Sequence, residues 1–237
     1  PADDPARIAA LATRIVGHLH SPDIVGVQEI QDNNGPINDG VVDASLTFGT
    51  LVGAIQAAGG PAYAFVSIDP VDDADGGEPG GNIRTGLLYD PARVRFIGRP
   101  GGTATAAVSV VAGPAGPALS YSPGRIDPLN PAFSNSRKPL AAEFRYNGRK
   151  VFVINNHLNS KGGDDPLFGR YQPPARSSEL QRTQQAMVLK GFVEQLLAAD
   201  ASARVVVLGD LNDFQFSDTL GILESTGLET LVERLPL

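Results

Sequence analysis

Apolar residues recur at helical spacing near the start of the chain, at Ile8, Leu11, Ala12, Ile15 and Leu19. That period predicts an amphipathic helix from about Pro5 to His20. Ser21-Pro22 stops it, because the residue before a proline is held out of the α region. The pattern then shortens to Asp23-Ile24-Val25-Gly26-Val27-Gln28-Glu29, a buried strand ending on a carboxylate. Phe48, Leu51, Val52 and Ile55 return to helical spacing, and Gly59-Gly60-Pro61 closes this second helix. Ala62 to Ile68 reads as a strand, and Asp69 to Gly81 as an acidic, glycine-rich loop.

Thr85 to Tyr89 and Val94 to Ile97 predict strands joined around Asp90-Pro91. Gly98 to about Arg137 is rich in Pro, Gly, Ala and Ser and reads as long loops holding a strand or two. Leu140 to Tyr146 and Lys150 to Asn155 flank Asn147-Gly148, whose positive φ angles suit a type I′ hairpin turn. After a loop from Ser160 to Pro174, Arg176 to Ala199 predicts the longest helix, with Leu180, Met187, Val188, Val193 and Leu197 towards the core. Arg204-Val205-Val206-Val207-Leu208 is a β-branched run that reads as a buried strand, and a short helix starts near Asp218. Hairpins mixed with strand–helix crossovers predict an α+β sandwich, not a purely parallel doubly wound sheet.

The 237 residues fit one large domain or two small ones, and 42% apolar content is enough for a real core. The chain has no cysteine, which excludes disulfides, zinc thiolates and a cysteine nucleophile. A net charge of -7 argues against a nonspecific basic DNA clamp. It leaves a nuclease open, because carboxylate-held cations offset local negative charge. No apolar stretch approaches the length of a bilayer span.

Candidate chemistry gathers at strand ends. Gly209-Asp210-Leu211-Asn212-Asp213 follows the Val205 strand. In extended backbone alternate residues point the same way, so Asp210 and Asn212 are expected to aim together, a carboxylate beside a carboxamide. Such a pair suits a hard cation and a phosphate-bound water; an ordinary polar turn is the other reading. Gln28-Glu29 offers a Mg²⁺ or Mn²⁺ ligand or, alone, a surface ion pair. In Asn155-Asn156-His157-Leu158-Asn159-Ser160-Lys161 a histidine among amides, followed by a lysine, can meet a phosphate. Arg137 and Arg84 are arginines of the kind that hold phosphate through a planar fork, or are plain surface charges. His18 and His20 do not share a helix face and read as structural. No Walker loop, Rossmann fingerprint or nucleophile elbow is present.

Val27-Gln28-Glu29, Arg84-Thr85-Gly86-Leu87-Leu88-Tyr89, Ser136-Arg137-Lys138-Pro139, Asn156-His157-Leu158 and Gly209-Asp210-Leu211-Asn212-Asp213 come in this order. The ordered set resembles the endonuclease/exonuclease/phosphatase superfamily, in its deoxyribonuclease-like branch. Asn155 through Tyr171 is similar to its bacterial extracellular nuclease-like members. The resemblance implies a single domain over residues 1–237 with a four-layer α/β/β/α sandwich of mixed sheets. It implies metal-dependent hydrolysis of a phosphate ester by water, with Mg²⁺ or Mn²⁺, or alternatively Ca²⁺. Glu29 matches the metal-binding glutamate, Asp210 the aspartate that activates water and Asn212 the asparagine beside it, with Asp210 and Asn212 also near the metal. His157 matches the histidine at the phosphate; Arg137, Arg84 and Lys161 match phosphate contacts.

Family members begin with a strand carrying an asparagine ligand and end with Ser-Asp-His. Neither is in the sequence, so the resemblance implies a domain trimmed at both ends, with little activity from these residues alone. The expected substrate is nucleic acid, DNA or RNA, and the expected location secreted or periplasmic, with no protein partner. The alternatives are a phosphomonoesterase, a lipid phosphodiesterase or a noncatalytic module on the same fold.

Overall fold

The computed structural model describes residues 4–234. Helix α1 (Pro5–Thr13) starts on Asp4, whose carboxylate accepts the Arg7 N–H at 3.0 Å, and it continues as a π-helical turn through Arg14–His18. Then come β1 (Ile24–Ile30), α2 (Ser45–Ala57), β2 (Ala64–Ser67), β3 (Arg84–Tyr89) and β4 (Arg95–Phe96). The loop-rich middle holds β5 (Val110–Gly113), β6 (Gly116–Leu119) and β7 (Gly124–Arg125). The chain goes on through β8 (Leu140–Tyr146), β9 (Arg149–His157), α3 (Ser177–Ala199), β10 (Val205–Asp210) and α4 (Asp218–Glu224). Asn147 and Gly148, between β8 and β9, have φ of 47° and 75°, as the hairpin turn requires.

One sheet has the order β1-β3-β2, all antiparallel. A second has the order β10-β9-β8-β4, with β7 also on β8 and β10 parallel to β9, and β5 and β6 pair separately as an antiparallel hairpin. Strand alternation assigns neighbouring residues to different layers. Leu87 meets Ala142, Phe144 and Val153 between the sheets, whereas Leu88 faces the helix side with Phe48, Leu51 and Ile55. Phe152 and Ile154 face outward onto Leu189, Val193 and Leu196 of α3. Helices therefore cover the outer face of each sheet, as an α+β sandwich demands.

Two expectations fail on helix faces. Leu180 and Met187 of α3 are 60% and 54% exposed. Its buried face instead carries Arg182 and Gln185 beside Ala186, Leu189, Phe192, Val193 and Leu196. Polar side chains replace apolar ones there because they bond the loops that lead to the strand ends. No helix among the described residues is long and apolar enough to cross a membrane.

Candidate functional site

Strand β1 loses its register with β3 between Val27 and Ile30, and Glu29 has φ 57°. A bulge re-aims a side chain, and a non-glycine residue in the left-handed region is uncommon. The Glu29 carboxylate is thereby turned into a groove of about 730 Å³ that Gln28, Gln31, Leu51 and Asp210 also line. Gln28 reaches across the sandwich, and its amide donates to the Asn155 side-chain oxygen at 2.7 Å.

On the other sheet His157 and Asp210 are register partners at the ends of parallel β9 and β10. Gly209 has φ 121°, and a Cβ there would lie 2.0 Å from the Asn156 carbonyl oxygen, so only glycine fits. Past the strand, Leu158 N–H donates to the Asp210 carbonyl at 2.9 Å. Asn212 has φ 51°; its backbone N–H donates to Asp210 Oδ1 at 2.8 Å and its amide to the Leu158 carbonyl at 3.0 Å. Asp210 and Asn212 are thus brought together by a tight turn. The extended alternation expected from sequence has ended before Asn212.

His157 Nε2 stands 3.9 Å from Glu29 Oε1 and 3.9 Å from Asp210 Oδ2. The imidazole is buried, while the two carboxylates are 59% and 50% exposed. Burial and the neighbouring Arg137 push the histidine pKa down; Asp210 and Glu29 oppose them without prevailing. The shift favours the neutral imidazole, which has one N–H to give. Its Nδ1 is buried and has no hydrogen-bond partner among the described residues. Arg137 is also buried and donates to the Leu158 carbonyl at 3.0 Å, and its Nε has no partner among the described residues. Burial lowers its pKa, and Glu29 and Asp210 pull it back up, which places its charge in the field of both carboxylates.

Glu29, Arg137, His157, Asp210 and Asn212 are brought together. Arg84 is not available to a phosphate: it is 1% exposed, pairs with Asp69 and donates to the Asn82 carbonyl at 2.9 Å. Its buried guanidinium is paired there with the half-exposed Asp69 carboxylate. Lys161 lies beside the site, its Nζ 3.1 Å from Asp213 Oδ1 and half-exposed.

Three supporting residues were given no role in the sequence reading. Asn155, fully buried, donates to the Val27 and Gly86 carbonyls at 3.0 and 2.7 Å and so ties β9 to the opposite sheet. Gln185 accepts the Asn159 N–H at 2.8 Å and donates to Ser136 Oγ at 2.9 Å, fixing the residues that flank Arg137 and His157. Arg182 reaches Asp213 at 3.2 Å. A signal was available in Arg182 and Gln185, polar residues on the stripe that also carries Ala186, Leu189 and Val193.

Glu29 and Asp210 share the groove with no lysine or arginine side chain within 4.0 Å of their carboxylates among the described residues. No group of three or more His, Asp and Glu side chains able to enclose a metal by themselves occurs among those residues. An open pair of carboxylates fits a hard cation that keeps water or a substrate oxygen in its remaining positions.

Packed sheets sheathed in helices, with carboxylates and a buried histidine at strand ends, define an α+β sandwich with an open acidic site at one edge. The chain belongs to the Endonuclease/Exonuclease/phosphatase family, whose sequence model matches residues 1–235. The structure is similar to the human Nocturnin catalytic domain with bound sulfate anion. The identity is 12% and the TM-score 0.52, covering 92% of this chain and 62% of that one. Beta toxin from Staphylococcus aureus (14% identity, TM-score 0.48) covers 93% and 63%. D. rerio TDP2 complexed with single strand DNA product (17% identity, TM-score 0.44) covers 94% and 59%. The chain thus spans less than two thirds of each. No curated protein sequence matches.

Proposed function

We propose that the protein is a divalent-metal-dependent phosphodiester hydrolase that acts on nucleic acid. The observation that carries the reading is His157 Nε2, 3.9 Å from the carboxylates of both Glu29 and Asp210. Family members are hydrolases acting on phosphodiester bonds, which supports it. Glu29 and Asp210, with the Asn212 side-chain oxygen, would hold Mg²⁺ or Mn²⁺, with Ca²⁺ the alternative. When bound, the cation polarises a phosphoryl oxygen and offsets its charge.

Asp210 keeps one carboxylate oxygen on the Asn212 N–H and presents the other towards His157, where it orients the attacking water. Neutral His157 gives its N–H to a phosphoryl oxygen, and Arg137 supplies fixed positive charge behind it. Water attacks phosphorus in line, one P–O ester bond breaks, and an alcohol and a phosphate monoester leave. Nucleic acid is favoured by the likeness of Asn155 through Tyr171 to nuclease-like relatives.

Labelled duplex oligonucleotide in Mg²⁺ should be cleaved by the full-length protein, and EDTA should abolish cleavage. Asp210→Ala and His157→Ala should each lose roughly 10²–10³-fold in rate, the effect of removing a group that stabilises the transition state, with circular dichroism unchanged. Faster hydrolysis of small phosphate esters or sphingomyelin than of DNA would reassign the substrate. Calorimetric titration with Mn²⁺ gives an independent readout, in which Glu29→Gln weakens binding. Metal-independent turnover, or wild-type rates in both alanine variants, would refute the proposal.

A further inference from the structure

Two phenylalanines stand on the surface immediately beyond the Asp210 turn. Phe214 is 57% exposed and Phe216 79%. Their rings stack 5.3 Å apart at an interplanar angle of 8°. Lys161 Nζ lies over the Phe214 ring, 3.8 Å from its centroid. Phe214 and Lys161 line one depression with Asp210 and Asn212. Nothing in the sandwich needs this arrangement, since neither ring enters a core cluster. Exposed aromatic surface beside an active centre marks a binding site.

The segment is built to hold its shape. Phe214 N–H donates to Asp213 Oδ1 at 3.1 Å, and Ser217 N–H to the Phe214 carbonyl at 2.9 Å. Asp213 is itself fixed by Arg182 at 3.2 Å, Lys161 at 3.1 Å and Thr219 at 2.9 Å. Ser217 then caps α4. The rings are therefore set before any ligand arrives, and little ordering remains to be done on binding.

We infer that Phe214 and Phe216 form a stacking platform for a nucleobase of a single-stranded segment next to the scissile phosphate. Parallel rings present a flat face, which a planar base extends; base–aromatic stacking is tolerant of sequence because every base has a π-face. Lys161 sets a cation beside the ring, on the side of the phosphate-cleaving groups, where the strand's backbone would pass. A lipid surface would be met by apolar side chains in any mutual orientation, and here the Asp210 and Asp213 carboxylates adjoin the rings. The inference rests on the nucleic-acid reading given above.

The test crosses changes in the protein with changes in the substrate. On single-stranded oligonucleotides with Mg²⁺, Phe214→Ala/Phe216→Ala should lose roughly 5- to 150-fold in kcat/KM, the range of one stacked base. An abasic site beside the cleaved phosphate should impose a similar loss on the unaltered protein, and the two losses should not add. Phe216→Trp should restore the rate; Phe216→Leu, apolar but unable to stack, should not. If the unaltered protein cleaves oligonucleotides and the phenylalanine variants match it, the platform is overturned and the nucleic-acid reading stands. If the unaltered full-length protein cleaves duplex but not single strands, the platform alone is overturned; if it cleaves neither, both fall. If Phe216→Leu keeps full activity while the double alanine variant loses binding to phosphatidylcholine–sphingomyelin vesicles, the rings serve a membrane and the platform is likewise overturned.

Discussion

Asp213 joins three elements through one carboxylate: Arg182 of α3, Thr219 of α4 and Lys161 of the loop between β9 and α3. Burial alone would raise its pKa, but hydrogen bonds from Thr219, Lys161, Arg182 and the Phe214 N–H outweigh burial and lower it to about 2. The folded pKa lies below the unfolded value of 3.8, so the folded state favours the ionised form. The stabilisation is complete above about pH 4 and is lost as pH falls towards 2. Asp213→Ala should therefore lose about 2 kcal/mol at pH 7, the range for hydrogen bonds to a charged group. The gap from the unaltered protein should close between pH 4 and 2. Urea denaturation across that window measures it; a gap independent of pH would show that the carboxylate's charge is not what matters.

At the scale of elements, α3 has an outward face that carries Leu180 and Met187 and an inward face that carries Gln185. Leu180→Gln should change stability by no more than about 0.5 kcal/mol, as expected of a surface substitution. Gln185→Leu strips partners from the Asn159 N–H and Ser136 Oγ and should lose roughly 1–3 kcal/mol. Thermal denaturation of the two variants compares them directly, and equal effects would mean the buried amide is not structural. This helix also marks how far the sequence could be read. Its extent follows from an apolar period and comes within a residue of the observed Ser177–Ala199. Its facing does not, because long-range partners decide which polar groups can be buried, and those partners lie far off in sequence. The Asp210–Asn212 turn teaches the same lesson. The residues were visible as a motif, whereas their convergence depends on positive φ at Gly209 and Asn212 and on the Leu158 carbonyl. Arg84 was visible as an arginine, but its pairing with Asp69 was not.

Across the whole molecule, the candidate site draws Glu29 from one sheet and His157 and Asp210 from the other. Its geometry is therefore a property of how the sheets sit on one another. Leu87, Ala142, Phe144 and Val153 hold the sheets together, but apolar packing has no preferred direction beyond shape. Asn155 supplies direction. Its amide bonds the Val27 and Gly86 carbonyls, and its oxygen accepts from Gln28, the residue before Glu29. Losing the side chain leaves those groups unpaired in the interior and frees the end of β1 to shift. Asn155→Ala should thus lose about 2–4 kcal/mol of stability through buried unsatisfied groups and also lower kcat more than it raises KM. Phe144→Leu, in the same layer, should lose stability of order 1–2 kcal/mol while leaving kcat near the unaltered value. Stability and turnover measured together separate the roles. If both variants lower kcat only in proportion to the unfolded fraction, apolar packing alone aligns the sheets, and Asn155 is one more buried amide. A fall in kcat for Asn155→Ala, at a temperature where the variant is fully folded, would make it a positioning residue that couples the sheets to the chemistry between them.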